Sequence, residues 1–326
     1  MEDKKLRYII IDTLGGDAGP EVVTLGGVLA LKEFDNLFVT FIGPKEIIEN
    51  KLKELDADMS RLEIIDAKET ITNYDNPVEA IYKKQDSSLV KALKLIVSDE
   101  KYIGLLTAGS SGAILMGSYR YCHINATTRP CMASLLPSEN GSFTCLLDTG
   151  ATIDCTKGEL IQFAHMGSDF MRKLYGIESP KVGLLSNGME ASKGNKLVKE
   201  THLALKEEKD INFIGNVEGN KALSGICDVL VADGFAGNQV LKVTEGTCQR
   251  LIKDIVVYSK KNNKPEFMEI AQYLMKQYDI STLAGAIVLG IKKPIIKCRG
   301  NSNEMTFVNT ARMLLNVAEG ETIIKK

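Results

Sequence analysis

Residues 181–195, KVGLLSNGMEASKGN, decide how the chain is read. They open as a short apolar run, Val182 to Leu185, with the pattern of a buried strand. They turn sharply at Ser186, Asn187 and Gly188. They end on Lys193, Gly194 and Asn195, just before a polar, Leu-spaced segment, Lys196 to Leu205, that reads as a helix. Strand, small-residue loop and helix in that order set backbone N–H groups and a lysine at the mouth of an α/β sheet. Taken alone, the stretch is first of all an ordinary connection carrying a solvated lysine.

The same kind of loop recurs along the chain. Tyr8 to Ile11 runs into Asp12–Pro20, and Ile103 to Leu106 into Thr107–Ala113. Phe143 to Leu147 runs into Asp148–Asp154, and Val229 to Ala232 into Asp233–Asn238. Helical patterns follow, among them Glu21 to Phe34, Ile114 to Tyr119, Lys157 to Tyr175 and Gln239 to Tyr258. Unbroken apolar runs alternating with helices predict an α/β fold with a mainly parallel sheet covered on both faces. Strands of such a sheet finish along one edge, so these loops are expected to face one cleft. A cleft of exposed N–H groups suits phosphate, or the oxyanion of an acyl-transfer intermediate. No low-complexity linker interrupts the chain, so residues 1–326 read as one domain.

Composition and missing motifs remove several function classes. A formal net charge of −2 and the absence of tryptophan speak against a nucleic-acid partner. Cysteines stand at 122, 131, 145, 155, 227, 248 and 298 with no CxxC pair. That spacing fits neither a metal site nor a disulfide framework, and predicts reduced cysteines in a cytosolic protein. The start, MEDKKLRYIIID, lacks the apolar core of a signal peptide and leads directly into a strand. No apolar run approaches the ~18 residues that span a bilayer. Thr107–Ala113 lacks the Gly-Lys-Ser/Thr ending of a P-loop, and no GxSxG elbow occurs. The first loop lacks GxGxxG, so an NAD dehydrogenase would rest on fold alone. His123, His165 and His202 make no metal or triad spacing and read as structural or solvated.

Nine pieces in order carry a resemblance. They are IDTLGGDAGP at 11–20, QDSSLVKAL at 85–93, TAGSSGAILMGS at 107–118, RPCMASLLP at 129–137 and LLDTGATIDC at 146–155. LIQFAHMGS at 160–168, VGLLSNGMEASKGN at 182–195, INFIGNVEG at 211–219 and ADGFAGNQVLKVTEG at 232–246 complete the set. With them the chain resembles the phosphate acyltransferase (PlsX) family of bacterial phospholipid synthesis. The resemblance implies a three-layer α/β/α sandwich, similar to the isopropylmalate dehydrogenase-like scaffold and to phosphotransacetylase. It implies transfer of a fatty acyl group from acyl carrier protein to inorganic phosphate, with no metal and no organic cofactor. It further implies a cytosolic homodimer loosely associated with the inner face of the membrane.

The same resemblance assigns roles. Lys193 is expected to be the cation for phosphate or oxyanion, Asn238 a positioning amide beside it, and Asp233 the residue that holds the loop or orients a donor. Asp233 reads equally well as a helix-capping aspartate. Gly15, Gly16, Asp17, Ser110, Ser111 and Gly112 are expected at the phosphate end, with Asp148 and Gly188 lining the site. Ser111 reads equally as a simple N-cap. The chain departs from the family's usual residues at Ser110–Ala113, Thr152, Met189, Asn220 and Arg299, and Arg299 adds a fixed cation able to bind phosphate. A short-chain phosphotransacetylase using coenzyme A thioesters and a non-catalytic paralogue binding the carrier are the competing readings. Ile252, Ile255, Val256, Phe267, Ile270, Leu274 and Met275 form apolar stripes that suit dimer packing or, alternatively, a membrane surface.

Overall fold

Ile9, Ile10 and Ile11 are wholly buried, as a strand covered on both faces requires. They belong to β1 (Arg7–Asp12) in a computed structural model that describes residues 5–278, 285–300 and 302–320. Residues 1–4 of the opening segment and Asn301 of the last loop lie outside the described residues. In chain order there follow α1 (Gly19–Glu33), β2 (Leu37–Gly43), α2 (Lys45–Glu54), β3 (Leu62–Asp66), α3 (Pro77–Lys83), α4 (Ser88–Ser98), β4 (Tyr102–Thr107) and α5 (Ser111–Gly117). Next come β5 (Cys131–Pro137), β6 (Phe143–Leu147), α6 (Lys157–Tyr175), β7 (Lys181–Ser186), α7 (Lys196–Glu207), β8 (Asn212–Glu218) and β9 (Val229–Val231). The chain continues through α8 (Gly234–Lys261), α9 (Glu266–Tyr278), β10 (Ala286–Leu289), β11 (Ile295–Lys297) and α10 (Glu304–Glu319).

The chain divides into two compact units. Of the described residues the first comprises 5–132, 173–175, 285–300 and 302–320, and the second 133–172 and 176–278. The strand order in the first is β3-β2-β1-β4-β11-β10, parallel except for β10 against β11. Helices α1 and α10 pack together on this sheet, while α4 packs on β1, β2 and β4. Close approach depends on missing side chains. A Cβ on Gly26 would stand 2.6 Å from Phe307 Cβ, so α10 can lie against α1 only because that position is bare.

The second unit runs β5-β6-β9-β7-β8, parallel except for β5 against β6. Strand alternation sends neighbouring side chains to opposite faces. A Cβ on Gly167 of α6 would meet Val229 and Leu147, so α6 covers that face. Leu241 of α8 packs with Leu146 and Leu230, on the opposite face. The expected α/β architecture, a mainly parallel sheet between helical layers, is what each unit has.

Helix ends follow their capping residues. Thr156 and Glu159 form a reciprocal capping box at α6, and Gly176 closes that helix at φ 64°. Asn195 caps α7 and Asp233 caps α8. Such caps contribute about 1 kcal/mol each. Two segments differ from the sequence reading. α8 begins at Gly234, five residues before the expected Gln239, because Asp233 accepts a hydrogen bond from Ala236 N–H (2.7 Å) and starts the helix there. The helix expected to run from Ile114 to Tyr119 ends its α-helical part at Gly117 and passes into a π-helical turn, Ser118–Cys122.

Candidate active site

β6, β9 and β7 lie side by side and parallel, so their carboxyl ends and the loops that follow meet at one edge of the second unit. A cavity of about 460 Å³ opens there. Leu160, Leu184, Leu185, Val198, Ala232 and Ala236 make its apolar wall. Ser186, Asn187, Gly194, Asn195 and Asp233 make its polar rim. The stretch 181–195 thus supplies much of both, and the starts of α7 and α8 complete the rim. First-turn N–H groups of a helix carry partial positive charge and favour an anion nearby.

The loop after β6 is held from within. Asp148, wholly buried, accepts hydrogen bonds from Gly150 N–H (3.2 Å), Ala151 N–H (3.0 Å) and Thr152 N–H (2.6 Å). Its carboxylate is therefore committed to its own loop. The loop is then clamped to the start of α8. Gly234 N–H donates to Thr152 carbonyl (2.8 Å), and Asn238 Nδ2 donates to Thr149 carbonyl (3.1 Å). Contact is tight enough to need glycine: a Cβ on Gly237 would lie 2.0 Å from Asp148 carbonyl oxygen, and one on Gly234 2.6 Å from Thr152 carbonyl oxygen. Asn238 keeps one N–H and its carbonyl oxygen unspent among the described residues. Asp233 spends one carboxylate oxygen on its cap.

The Lys193 loop is braced from the other side. Asn187 Oδ1 accepts from Gly194 N–H (2.8 Å), and Lys193 N–H donates to Glu190 carbonyl (2.9 Å). Asn216 of β8 donates to the same Glu190 carbonyl (2.9 Å) while its Oδ1 meets His202 Nδ1 (2.9 Å). The His202 ring packs edge-on against Phe213. His202 is thus structural, as the sequence suggested. Asn216 is a support that sequence reasoning passed over, although it stands in the INFIGNVEG piece. The stem of Lys193 lies across Gly188, where an added Cβ would sit 2.7 Å from Lys193 Cγ. Lys193 itself is exposed and makes no ion pair among the described residues. Met189 is 56% exposed and brings no charge to the loop.

Burial pushes the Cys145 and Cys155 thiols up to about 12, so neither is a thiolate near neutral pH. His165 faces Glu208 at 3.3 Å and is taken up there. Among the described residues no three His, Cys, Asp or Glu side chains gather as a metal cluster.

The remaining sequence-predicted residues meet in the first unit. β1 and β4 are parallel neighbours, and their loops touch: a Cβ on Gly15 (φ +88°) would lie 2.8 Å from Gly109 Cα, and one on Gly16 2.6 Å from Ala108 Cβ. The last loop joins them. Ala18 N–H donates to Gly300 carbonyl (3.1 Å), and an added Cβ on Gly300 would meet Asp17 Oδ2 at 2.7 Å; half-buried Arg299 precedes Gly300 in the chain. Ser110 is buried at the start of α5 and Ser111 is the first residue of that helix, whereas Gly112 is bare to admit Pro77 of α3 (2.7 Å).

Beneath these loops sits Asp12, which sequence reading did not single out. It accepts from Thr107 Oγ1 (2.7 Å) and Leu14 N–H (3.1 Å). Burial raises its pKa from 3.8 to about 6 against those hydrogen bonds. The folded state holds the proton more tightly than the unfolded chain between these values. Stability from this group is therefore full below about 4 and is lost as pH rises through about 6. The difference corresponds to roughly 3 kcal/mol. Asp12→Asn is expected to remove that fall, read as the wild-type-minus-variant difference in urea unfolding free energy from pH 4 to 7. A difference that does not change with pH would assign the proton elsewhere.

Comparison with known proteins follows the whole chain. The family model described as "Fatty acid synthesis protein" matches residues 8–323. A phosphate acyltransferase of Clostridium perfringens (strain SM101 / Type A) is 39% identical over 323 residues, covering 97% of this chain and 95% of that relative. Among solved structures, a EutD phosphotransacetylase from Staphylococcus aureus matches with a TM-score of 0.61 at 15% identity, over 96% of this chain and 94% of that one. A 4-hydroxythreonine-4-phosphate dehydrogenase from Burkholderia phymatum matches with a TM-score of 0.51 at 14% identity, over 97% and 98%. These two structural likenesses speak to the fold alone.

Proposed function

The chain belongs to the phosphate acyltransferase family, and from that premise we propose that it moves a fatty acyl group from the thiol of an acyl carrier protein to inorganic phosphate. The acyl phosphate formed would feed phospholipid synthesis. One observation supports this reading at the level of chemistry: apolar side chains line the same cavity as helix starts and amides, and Lys193 precedes its lining residue Gly194 in the chain. A thioester with a hydrocarbon tail and an anionic nucleophile need those two environments side by side.

In this reading a phosphate oxygen attacks the thioester carbonyl carbon. A C–O bond forms, the C–S bond breaks, and the departing sulfur takes up a proton. Nucleophile and developing oxyanion are both negative, so the protein's task is positioning and charge stabilisation, not supply of a nucleophile. Lys193 is the assigned cation. Asn238, tied to Thr149, holds the loop after β6 against α8 and offers its second N–H to the site. Asp148 and Asp233 act one step back, fixing the loop and the helix start. The glycine loops of the first unit, with Gly15, Gly16, Asp17, Ser110, Ser111, Gly112 and Arg299, are assigned phosphate contacts on the family resemblance.

The protein would work as a homodimer at the cytosolic side of the membrane. Exposed Leu251, Val257, Ile270 and Tyr273 on α8 and α9 are apolar surface that a second copy would cover. No helix of the described residues is long and apolar enough to cross a membrane. The donor is tested by offering long-chain acyl carrier protein and acetyl coenzyme A separately with phosphate. Turnover of the long-chain carrier without acetyl turnover is expected. Acetyl turnover alone would make the protein a short-chain enzyme instead.

A further inference from the structure

The π-helical turn Ser118–Cys122 in the first unit carries a cluster that the acyl-transfer site does not use. Arg120 lies over the Tyr82 ring, its guanidinium carbon 3.6 Å from the ring centre and 5.2 Å from that of Tyr121. Arg129 stands over Tyr119 at 5.5 Å, and Lys94 over Tyr121 at 5.9 Å. Tyr82 is 57% exposed and Tyr119 41%, so the rings face solvent with the cations held on them. A guanidinium held over an aromatic face keeps its N–H donors available for a partner. Arg120 makes no hydrogen bond or ion pair among the described residues.

Charge around the cluster is one-sided. From Lys101 to Ser138 the chain contains no aspartate or glutamate. Lys94 bonds to a neutral group, Gln85 Oε1 (2.6 Å), and keeps its charge uncompensated there. Glu79, on α3, is engaged by Lys83 (2.6 Å). The chain as a whole is near neutrality, so an acid-free stretch that presents Arg120, Arg129 and the open Tyr119, with Tyr82 of α3 under Arg120, is a local feature and not a reflection of composition. Tyrosine and arginine are the residue types that dominate binding energy at protein interfaces. A basic, aromatic surface recognises carboxylates presented by a folded acidic partner.

We propose that the patch of Tyr82, Arg120, Tyr119, Arg129 and Lys94 is the docking surface for the acidic acyl carrier protein, an inference that rests on the donor reading above. The patch follows directly on α5, whose first residues include Ser111 and Gly112. Docking there would deliver the thioester at the loop end of that helix.

The test measures binding of unacylated acyl carrier protein to the whole protein by titration calorimetry, and separately the KM for the acylated carrier. Arg120→Glu and Tyr82→Ala are each expected to weaken carrier binding at least tenfold. Arg120→Lys should retain most of the affinity, and added salt should weaken the wild type. Phosphate-dependent turnover of a long-chain acyl thioester that lacks the carrier protein, such as a palmitoyl N-acetylcysteamine thioester, should stay within twofold in all variants, which also reports that they fold. Equal carrier affinity in wild type and Arg120→Glu would overturn the proposal, as would no binding by the wild type. If the carrier is used as donor with an unchanged KM in Arg120→Glu, the surface is wrong and the donor reading stands. If the wild type binds the carrier through Arg120 yet makes no acyl phosphate from it, the surface stands and the donor reading fails.

Discussion

Lys193→Ala is expected to lower acyl-phosphate formation by about 10²–10³-fold, the usual cost of removing one donor aimed at developing negative charge. The side chain is exposed, so truncation should leave the fold and the unfolding midpoint close to wild type. Its backbone N–H is held by Glu190 carbonyl and its stem passes close to Gly188. Lys193→Arg keeps the charge and should recover part of the rate, whereas Lys193→Gln keeps length without charge and should not. The measurement is single-turnover acyl transfer at saturating phosphate. A rate for Lys193→Ala within threefold of wild type would remove Lys193 from the chemistry.

Asp148→Ala should produce the largest loss of stability among single substitutions at the site, about 3–5 kcal/mol. Three backbone N–H groups converge on that buried carboxylate. Each one left without a partner in the interior costs about 1–3 kcal/mol, offset in part by relaxation of the loop. The damage spreads to function, because the same loop carries Thr149, the acceptor for Asn238, and packs against Gly237. Asp148→Asn retains one acceptor oxygen and should lose clearly less. Urea unfolding of the two variants is the check. A cost below 1 kcal/mol for Asp148→Ala would mean that the loop finds other partners and that the carboxylate is not its anchor.

Much of this was legible in the chain because the physics is local. Val182–Leu185 and Ile9–Ile11 are apolar without interruption, and both are strands buried on two faces. The small-residue loops that follow them sit at strand ends, as their composition demands. What the sequence hid was commitment. Asp148 and Lys193 are equally available side chains on paper, and only packing reveals that the first spends its oxygens on nearby N–H groups while the second stays open; the cap at Asp233 was one of its two sequence readings. The start of α8 was hidden for a related reason. Gly234 and Gly237 are poor helix formers and make DGFAGN read as loop. They are in the helix because any side chain there would strike the loop after β6. Asp12 and Asn216 were missed because a buried residue that supports a loop from below leaves no pattern in the sequence. Likewise, nothing along the chain marks the passage between the two compact units, since each is built from segments distant in sequence.

The most direct measurement is formation of acyl phosphate itself. Purified protein is mixed with long-chain acyl carrier protein and inorganic phosphate, and the product is followed by phosphorus NMR alongside release of the carrier thiol. The account predicts one acyl phosphate for each thiol released, dependent on phosphate and lost in Lys193→Ala. Thiol release without acyl phosphate, or no reaction by wild-type protein with this donor, would contradict it.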